Sequence, residues 1–212
     1  DPEVKRIQIN LYRVAKNSKI INALINAVKN GKKVVAIVEL RARFDEENNI
    51  YWANKLKAEG VEVLFGVPGL KVHSKLILIS RKERGKLVLY GHVGTGNFNE
   101  GTAKLYTDAS LLTADVRITS EIARVFDFFA NNFKIKRYSH LIISPTGTRR
   151  KFIKLIQNEI KNANKGLKAE IILKLNNLAD PAMIKKLVEA GKAGVKVKLI
   201  IRSTCCILAG AI

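Results

Sequence analysis

The chain has 212 residues and is 47% hydrophobic, so it can form one large domain or two small ones. It shows no apolar run of about 18 residues and no signal peptide, so we expect no transmembrane segment and a cytoplasmic location, with peripheral membrane association left open. Lysine and arginine outnumber acidic residues 38 to 18, and the net charge of +20 favours a polyanionic partner: nucleic acid, a phosphorylated nucleotide or another phosphate polymer. No zinc finger or RNA-binding motif is visible, so the charge does not identify the partner.

The first part of the chain alternates predicted strands and helices. Apolar residues alternate with polar ones at Ile7, Ile9 and Leu11, as in a half-buried strand, and Ser18 is a typical N-cap for the following helix. The predicted elements are a strand at 7–11, a helix from 18 to 31, a strand at 34–40, a helix at 46–59, strands at 61–65, 73–79 and 86–90, and a helix capped by Ser120. This order predicts an α/β fold with a mostly parallel or mixed sheet flanked by helices.

A polar, basic connector at 131–139 separates a second unit from the first, and we expect domains of 1–136 and 137–212. The second unit is predicted to contain a strand at 141–143, a turn at 145–147, a helix at 149–163, a strand at 170–175, a helix opened by Pro181 and a strand at 195–202. Cys205 and Cys206 are adjacent, which argues against a disulfide between them and against a metal site, and we expect both thiols to be buried.

The second unit repeats part of the first. Ile21, Leu24 and Ala27 before Gly31 correspond to Ile184, Leu187 and Ala190 before Gly194, always at an offset of 163 residues. At that offset a second copy of His73 would fall beyond the last residue. Both ends of the chain also look cut, so we expect one complete domain plus a truncated second copy.

His73 and Lys75 form a His-x-Lys sequence on a predicted strand, where alternate residues project to the same face. A neighbouring cation disfavours protonation of an imidazole, and a neutral imidazole is the form that acts as a nucleophile. The lysine can hold phosphoryl oxygens during the attack. The alternative is that His73 has only a structural role in the core, but the presence of Lys75 two residues later favours a catalytic role.

Gly94 to Asn97 form a glycine-rich turn whose backbone amides can face a phosphate, and the Asn97 amide can orient the histidine or an oxygen. Arg13 and Arg43 follow two predicted strands, at the strand ends where open α/β sheets place their ligands, and guanidinium groups bind phosphate in a fork. Arg202 ends the repeated strand in the second unit. Tyr106 can stack on a base or donate to a phosphate. Surface ion pairs for the arginines and simple packing for the tyrosine are the alternatives.

Taken together, these motifs resemble the long-chain bacterial polyphosphate kinases, the ATP-dependent phosphotransferases built on the phospholipase D fold. The resemblance covers almost the whole chain. It rests on residues 11–16, 39–47, 73–76, 92–99, 105–108 and 173–178. It implies a phospholipase D-like mixed sheet in the carboxy-terminal catalytic region of such an enzyme.

The resemblance also implies the chemistry. His73 would be the phosphohistidine nucleophile, with Lys75 and Asn97 in the catalytic group, and Tyr106 and Arg202 would contact ATP. Arg13 and Arg43 would lie at the Mg²⁺ site; because a guanidinium cannot ligate a metal, they would hold the phosphates that the ion bridges. The implied reaction is reversible transfer of the terminal phosphate of ATP to polyphosphate, so the expected partners are ATP, ADP and polyphosphate in a homo-oligomer, with no nucleic acid.

Two departures from the pattern keep alternatives open. The phospholipase D pattern has an acidic residue five positions after the lysine, where this chain has Ser80, and Ser203 follows Arg202 where a glycine is expected. We expect a single half-site to be inactive alone. The alternatives are a phospholipase D-type phosphodiesterase or nuclease half-site, which would need no nucleotide or Mg²⁺, and a non-catalytic basic module that binds polyanions.

Overall fold

The computed structural model describes residues 1–131, 137–208 and 210, and the chain forms two compact units, Asp1–Leu141 and Ile142–Ile212. Both units combine helices with strands, which confirms the predicted α/β class. The predicted boundary between 136 and 137 falls at a residue outside the described part of the chain, so that boundary stays a prediction.

The first unit is built on a six-stranded mixed sheet with strand order β3-β2-β1-β4-β5-β6. Its strands are β1 (Val4–Leu11), β2 (Lys33–Val38), β3 (Glu62–Phe65), β4 (Lys75–Glu83), β5 (Lys86–Gly94) and β6 (Ser110–Thr113). β1, β2 and β3 pair in parallel, whereas the pairs β1–β4, β4–β5 and β5–β6 are antiparallel. β1 is therefore the strand at which the sheet changes from parallel to antiparallel.

This topology gathers several chain segments at one edge of the sheet. β1, β2, β3 and β5 run in one direction and end at that edge, while β4 and β6 run the other way and begin there. The residues after Leu11, Val38 and Gly94 and the residues before Lys75 and Ser110 consequently lie at the same edge. Such an edge, next to a change of strand direction, is where open α/β sheets commonly place their ligands.

Helices cover both faces of this sheet. α1 (Lys19–Lys29) and α2 (Glu46–Ala58) cover one face, where Ile9, Leu11, Ile21 and Leu56 are at most 1% exposed. The N-terminus of α1 is capped as predicted, because Ser18 Oγ accepts a hydrogen bond of 3.3 Å from the Ile21 amide. β2 has five consecutive buried residues, as expected of a strand covered on both sides.

The third helix, α3 (Val116–Ala130), lies on the opposite face, where Ile122 packs closely over Gly91 of β5. Its N-cap is Asp115, whose carboxylate accepts a hydrogen bond of 2.9 Å from the Arg117 amide. The prediction of Ser120 as the N-cap is wrong, because the helix already begins at Val116 and Ser120 lies inside it.

Glu121 of α3 ties the end of the first unit to this helix. Its side chain is buried, and it accepts hydrogen bonds from the backbone amides of Ser139, His140 and Leu141 at 2.7, 3.1 and 2.7 Å. Burial alone would raise the pKa of the Glu121 carboxyl, but these amides outweigh it and the pKa is lowered.

The second unit contains α4 (Thr148–Asn164), β7 (Glu170–Leu175), α5 (Pro181–Lys192) and β8 (Lys196–Ile201). β7 has the predicted bounds, and it pairs in parallel with β8. Asp180 caps α5 through the Met183 amide at 3.0 Å and also binds Arg149 of α4. Two predictions are wrong here: residues 141–143 form no strand, and both cysteines are exposed.

The predicted repeat has a structural counterpart, since β1-α1-β2 and β7-α5-β8 are both strand–helix–strand segments with parallel strands. Ile7 pairs with Val34 in the first copy, and Ile171 pairs with Val197 in the second. The second strands are thus offset by 163 residues and the first strands by 164, so the second copy is one residue shorter between strand and helix. Among the described helices, none has the length and apolar character needed to cross a bilayer.

Candidate active site

His73 and Lys75 lie together at the sheet edge described above. Lys75 is the first residue of β4 and is 4% exposed, whereas His73 precedes the strand by two residues and is exposed. The prediction that the strand includes His73 is therefore wrong, although the two side chains still meet. Lys75 Nζ lies 3.2 Å from His73 Nδ1 and also donates to the His73 carbonyl oxygen.

Tyr12, the first residue after β1, packs against both members of this pair. Its ring meets the His73 imidazole edge to face, with 4.5 Å between ring centroids and an interplanar angle of 74°. The Lys75 ammonium lies 5.0 Å from the centre of the Tyr12 ring, within the range of a cation–π contact. Tyr12 therefore restricts the orientation of the imidazole and stabilises the cation beside it.

The pKa values of the pair are shifted in the direction that nucleophilic chemistry requires. Partial burial lowers the pKa of the His73 imidazole, and the nearby cations Lys75, Arg13 and Lys71 lower it further. Burial also lowers the pKa of Lys75 to about 8, with Asp108 opposing and Arg13 adding to the shift. At neutral pH the site therefore presents a neutral imidazole next to an ammonium group.

Arg13 joins this group from the loop after β1. Its guanidinium forms an ion pair with Asp45, donates a hydrogen bond of 3.1 Å to the Arg43 carbonyl and lies 5.7 Å from the Tyr12 ring centre. Arg13 and His73 therefore both lie near the ring of Tyr12. The Arg43 guanidinium instead lies 4.8 Å from the ring centre of Phe44, and only its backbone contacts Arg13.

The turn at Gly94–Asn97 runs alongside Lys75, since Lys75 and Gly94 are paired across β4 and β5. Thr95 Oγ1 donates a hydrogen bond of 2.9 Å to Asp108, and a Cβ atom on Gly96 would come within 2.5 Å of the Asp108 carboxylate. A side chain at position 96 would therefore force Asp108 or the turn to move. Asn97 Oδ1 is buried and has no hydrogen-bond partner among the described residues, so this turn offers an unused acceptor.

The remaining predicted residues, Tyr106 and Arg202, lie in two different parts of the fold. Tyr106 is 46% exposed and lies between a short 3₁₀ turn at Thr102–Lys104 and β6. Arg202 directly follows β8 in the second unit, where its backbone amide donates to the Leu175 carbonyl at 3.1 Å. The roles of Tyr106, Arg43, Asn97 and Arg202 therefore stay predictions.

The prediction from sequence missed three members of the site: Tyr12, Asp45 and Asp108. Each lies one to three residues from a residue that was singled out, and each falls inside one of the quoted motifs. Their roles depend on contacts between distant segments, such as the Arg13–Asp45 ion pair, which spans 32 residues of sequence. Tyr12 directly follows β1 and Asp108 precedes β6, whereas Asp45 is the residue directly before α2. The signal common to all three was their place inside these motifs.

The arrangement can bind and transfer a phosphoryl group. An exposed neutral imidazole has the lone pair that a nucleophile needs, and two cations, Lys75 and Arg13, are of the kind that binds negatively charged oxygens. Within residues 1–131, 137–208 and 210, no three His, Cys, Asp or Glu side chains form a group able to hold a metal ion. Arg13 and Arg43 carry no ligand atoms, so the side chains here suit a metal that is bound through phosphate oxygens.

Comparison with known proteins agrees with this geometry. Residues 1–135 match the family described as polyphosphate kinase C-terminal domain 1, and residues 141–212 match polyphosphate kinase C-terminal domain 2. The chain is 53% identical over 208 residues to the polyphosphate kinase of Escherichia coli (strain K12), covering 98% of this chain and 30% of that protein. It is 52% identical over 210 residues to the polyphosphate kinase of Vibrio vulnificus (strain YJ016), covering 99% of this chain and 30% of that protein.

A solved structure is also similar. The crystal structure of polyphosphate kinase from Porphyromonas gingivalis matches with a TM-score of 0.86 at 38% identity, covering 99% of this chain and 35% of that chain. The chain thus spans about 30% of the length of the curated relatives it matches. On these matches to both C-terminal domains, the chain belongs to the polyphosphate kinase family.

Proposed function

We propose that this chain provides one half of the site at which the terminal phosphate of ATP is transferred reversibly to polyphosphate through a phosphohistidine at His73. One observation carries the proposal: the exposed imidazole of His73 has a lowered pKa and lies 3.2 Å from the Lys75 ammonium. The polyphosphate kinase relatives support the choice of substrates.

In the proposed first step, a ring nitrogen of His73 attacks the terminal phosphorus of ATP. The bond between that phosphorus and the bridging oxygen breaks, ADP leaves with the bonding electrons, and a nitrogen–phosphorus bond forms. Lys75 and Arg13 bind the oxygens of the transferring group, where negative charge is spread in the transition state. In the second step the end of a polyphosphate chain takes the phosphoryl group from His73, which returns to the neutral imidazole.

We propose that Mg²⁺ accompanies ATP in this reaction. The ion would neutralise phosphate charge when bound, and the phosphate oxygens would supply its ligands, since the arginines cannot. Arg13 and Arg43 would hold those phosphates, and Asp45 would keep the Arg13 guanidinium in place. Tyr106 and Arg202 would contact the nucleotide.

The basic composition suits a polyanionic product. A net charge of +20 on 212 residues attracts polyphosphate and releases its counterions on binding, so binding should weaken as salt is raised. ATP as substrate agrees with the predicted cytoplasmic location, and peripheral membrane association and a homo-oligomeric state stay predictions. The 212 residues contain one His-x-Lys sequence, so we expect no polyphosphate synthesis from them alone.

The test uses the complete natural polypeptide that carries these 212 residues. It is incubated with Mg²⁺ and ATP labelled on the terminal phosphate, and acid-labile, base-stable label is mapped by mass spectrometry. The proposal expects label on His73 that moves into polyphosphate and is lost in His73→Ala but kept in the control His140→Ala. Absence of label despite ATP binding would contradict it, and hydrolysis of a phosphodiester in excess chelator would favour the phosphodiesterase alternative.

A further inference from the structure

On the side that faces β1, the segment that carries His73 and Lys75 is held by side chains, although Lys75 itself pairs with Gly94 of β5 on the other side. Residues 71–74 lie outside β4, and the last register pair between β1 and β4 joins Ile9 to Ile77. We propose that two buried side chains, Asn10 and Glu39, are positioning residues that place His73 and Lys75 for phosphoryl transfer. This inference rests on the function proposed above.

Asn10 takes over where the β1–β4 pairing ends. It is 1% exposed, its side-chain amide donates to the Ser74 carbonyl, and its Oδ1 accepts a hydrogen bond of 2.7 Å from the Leu76 amide. These two backbone groups flank Lys75 on either side. Asn10 therefore sets the position of the Lys75 backbone, and through the Ser74 carbonyl it limits movement of His73.

Glu39 holds the other end of the segment. Its side chain is 2% exposed; Oε2 accepts a hydrogen bond of 2.6 Å from the Val72 amide and Oε1 accepts one of 2.9 Å from the Arg41 amide. The Arg41 guanidinium lies 3.6 Å from the same carboxylate and compensates its charge. Since Val72 directly precedes His73, the buried carboxylate of Glu39 fixes the position of the backbone that leads into His73.

Asn49 of α2 connects these supports to the rest of the site. It is fully buried, and its Nδ2 donates to the Tyr12 carbonyl at 2.8 Å and to the Glu39 carbonyl at 2.9 Å. The backbone at Tyr12, whose ring packs against His73, is therefore fixed relative to Glu39, which holds Val72. The imidazole and its packing partner thus share one buried polar framework.

Such a framework matters for rate more than for affinity. Lys75 and Arg13 can still attract phosphate if the segment loosens, but in-line attack needs His73 within a narrow range of positions. A displacement of about 1 Å can cost roughly 100-fold in rate. Loss of Asn10 or Glu39 should therefore slow phosphorylation of His73 while leaving ATP binding largely intact.

The experiment uses three variants of the complete polypeptide: Asn10→Leu, Glu39→Met and the conservative Glu39→Gln. Leucine removes both the donor and the acceptor of Asn10, and methionine removes both acceptors of Glu39, at approximately constant size. Glutamine keeps one of the two acceptors of Glu39. The matched control is Glu121→Met, because Glu121 is equally buried and also accepts backbone amides, but those of 139–141. It should lose stability without disturbing the segment at 72–76.

The readouts are the rate of His73 phosphorylation at saturating ATP, the Kd for ATP and the exchange of individual backbone amides. We expect Asn10→Leu and Glu39→Met to lower the phosphorylation rate at least about 10-fold while the Kd for ATP changes less than about threefold. The phosphorylation rate of Glu39→Gln should lie between the rates of these variants and that of the parent. The control should stay within about twofold of the parent rate. The Val72 amide should exchange faster in Glu39→Met, and the Leu76 amide in Asn10→Leu.

Folded Asn10→Leu and Glu39→Met variants that phosphorylate at the parent rate would overturn the inference, as would a control that slows equally. If Asn10→Leu does not fold, the Glu39 variants decide. If the parent protein takes no label on His73, the proposed function fails. The positioning role of Asn10 and Glu39 is then tested separately, by backbone amide exchange and by the pKa of His73 measured by NMR. Unchanged exchange at Val72 in Glu39→Met would then refute it.

Discussion

The ammonium nitrogen of Lys75 lies 3.2 Å from Nδ1 of His73, and this contact couples the charge states of the two residues. The Lys75 ammonium has only donors, whereas the role of the imidazole nitrogen that faces it depends on the histidine tautomer. Protonation of His73 would place two positive charges side by side. In the proposed reaction, the contact that favours a neutral imidazole also places a cation where the phosphate would bind.

Removing the charge of Lys75 should raise the pKa of His73. In Lys75→Met the imidazole loses the largest of the cationic effects that lower its pKa, although burial and Arg13 remain. The measurement is an NMR titration of the histidine ring protons, assigned with His73→Ala. Lys75→Arg keeps the positive charge and is the control. A His73 pKa that does not rise in Lys75→Met would show that the lysine has no electrostatic role.

The rate of His73 phosphorylation should depend on pH on both sides of neutrality. On the acid side the rate rises as His73 loses its proton, and the midpoint should lie below 6.5, the ordinary value of a histidine pKa. On the alkaline side it should fall near pH 8, where Lys75, with its pKa of about 8, becomes neutral and no longer holds phosphate oxygens. Rapid-quench measurements between pH 5 and 10 check both limbs.

Lys75→Arg is the control for the alkaline limb, because arginine stays charged over this range. The variant should keep a reduced rate without the fall near pH 8. If the alkaline limb of Lys75→Arg coincides with that of the parent, another group is responsible for it.

The buried charge of Lys75 should lower the free energy of unfolding at neutral pH. Its pKa falls from 10.5 in the unfolded chain to about 8 in the folded protein, because burial disfavours its charge. The unfolded chain therefore binds more protons between pH 8 and 10.5, and the contribution of Lys75 to stability rises with pH across that window. At pH 7 the penalty is fully present, so Lys75→Met should raise the free energy of unfolding by up to about 3 kcal/mol.

Urea denaturation at pH 7 and pH 10 checks this expectation, and the gain should shrink at the higher pH. Lys82→Met is the matched control, since Lys82 lies on the same strand but is exposed. A Lys75→Met protein less stable than the parent at pH 7 would mean that the contacts of Lys75 outweigh its desolvation.

Gly96→Ala should impair the site more than the fold. The added Cβ would lie 2.5 Å from the Asp108 carboxylate, so either the turn or Asp108 must move. Asp108 acts on Lys75 and accepts from Thr95, so the displacement should lower the phosphorylation rate about 10-fold or more with a loss of stability near 1–3 kcal/mol.

The control for that variant is Gly147→Ala. Position 147 has a negative φ of −133°, and an added Cβ would meet only the Ile143 carbonyl at 3.7 Å, an ordinary contact. This variant should keep both the parent rate and the parent melting temperature. Equal rates in Gly96→Ala and the parent would show that the turn tolerates the side chain.

Local sequence patterns predicted most of the regular structure. Ser18 identifies the start of α1, Pro181 the start of α5, and the apolar run of 170–175 defines β7 without error. β6 was missed because its four residues are mostly exposed and do not alternate in polarity. Edge strands of this kind are specified by pairing with a neighbour, here β5, which a local pattern does not reveal.

The site was predicted only where chemistry and spacing coincide. His73 and Lys75 stand out by residue type two positions apart, and Arg13 by its place after a strand. Glu39 interrupts the apolar run at 34–40, and that interruption was a usable signal of a buried polar group. Asn10 occupies a polar position of the alternating pattern at 7–11, which is typical of an exposed face and gave no such signal. Their partners were not predictable from spacing, because the Asn10 side chain meets residues 64 and 66 positions away.

The position of β1 between β2 and β4 also has a consequence for how the site forms during folding. β1, α1, β2, α2 and β3 are joined by local connections, but the β4–β5 hairpin must return to pair with β1 residues that lie about 70 positions earlier in the sequence. Contacts of high sequence separation form late because loop closure costs entropy. Before β4 pairs with β1, Arg13 and Asp45 can already form their ion pair, but His73 and Lys75 are not yet placed beside Tyr12. The site is therefore complete only after β1 and β4 have paired.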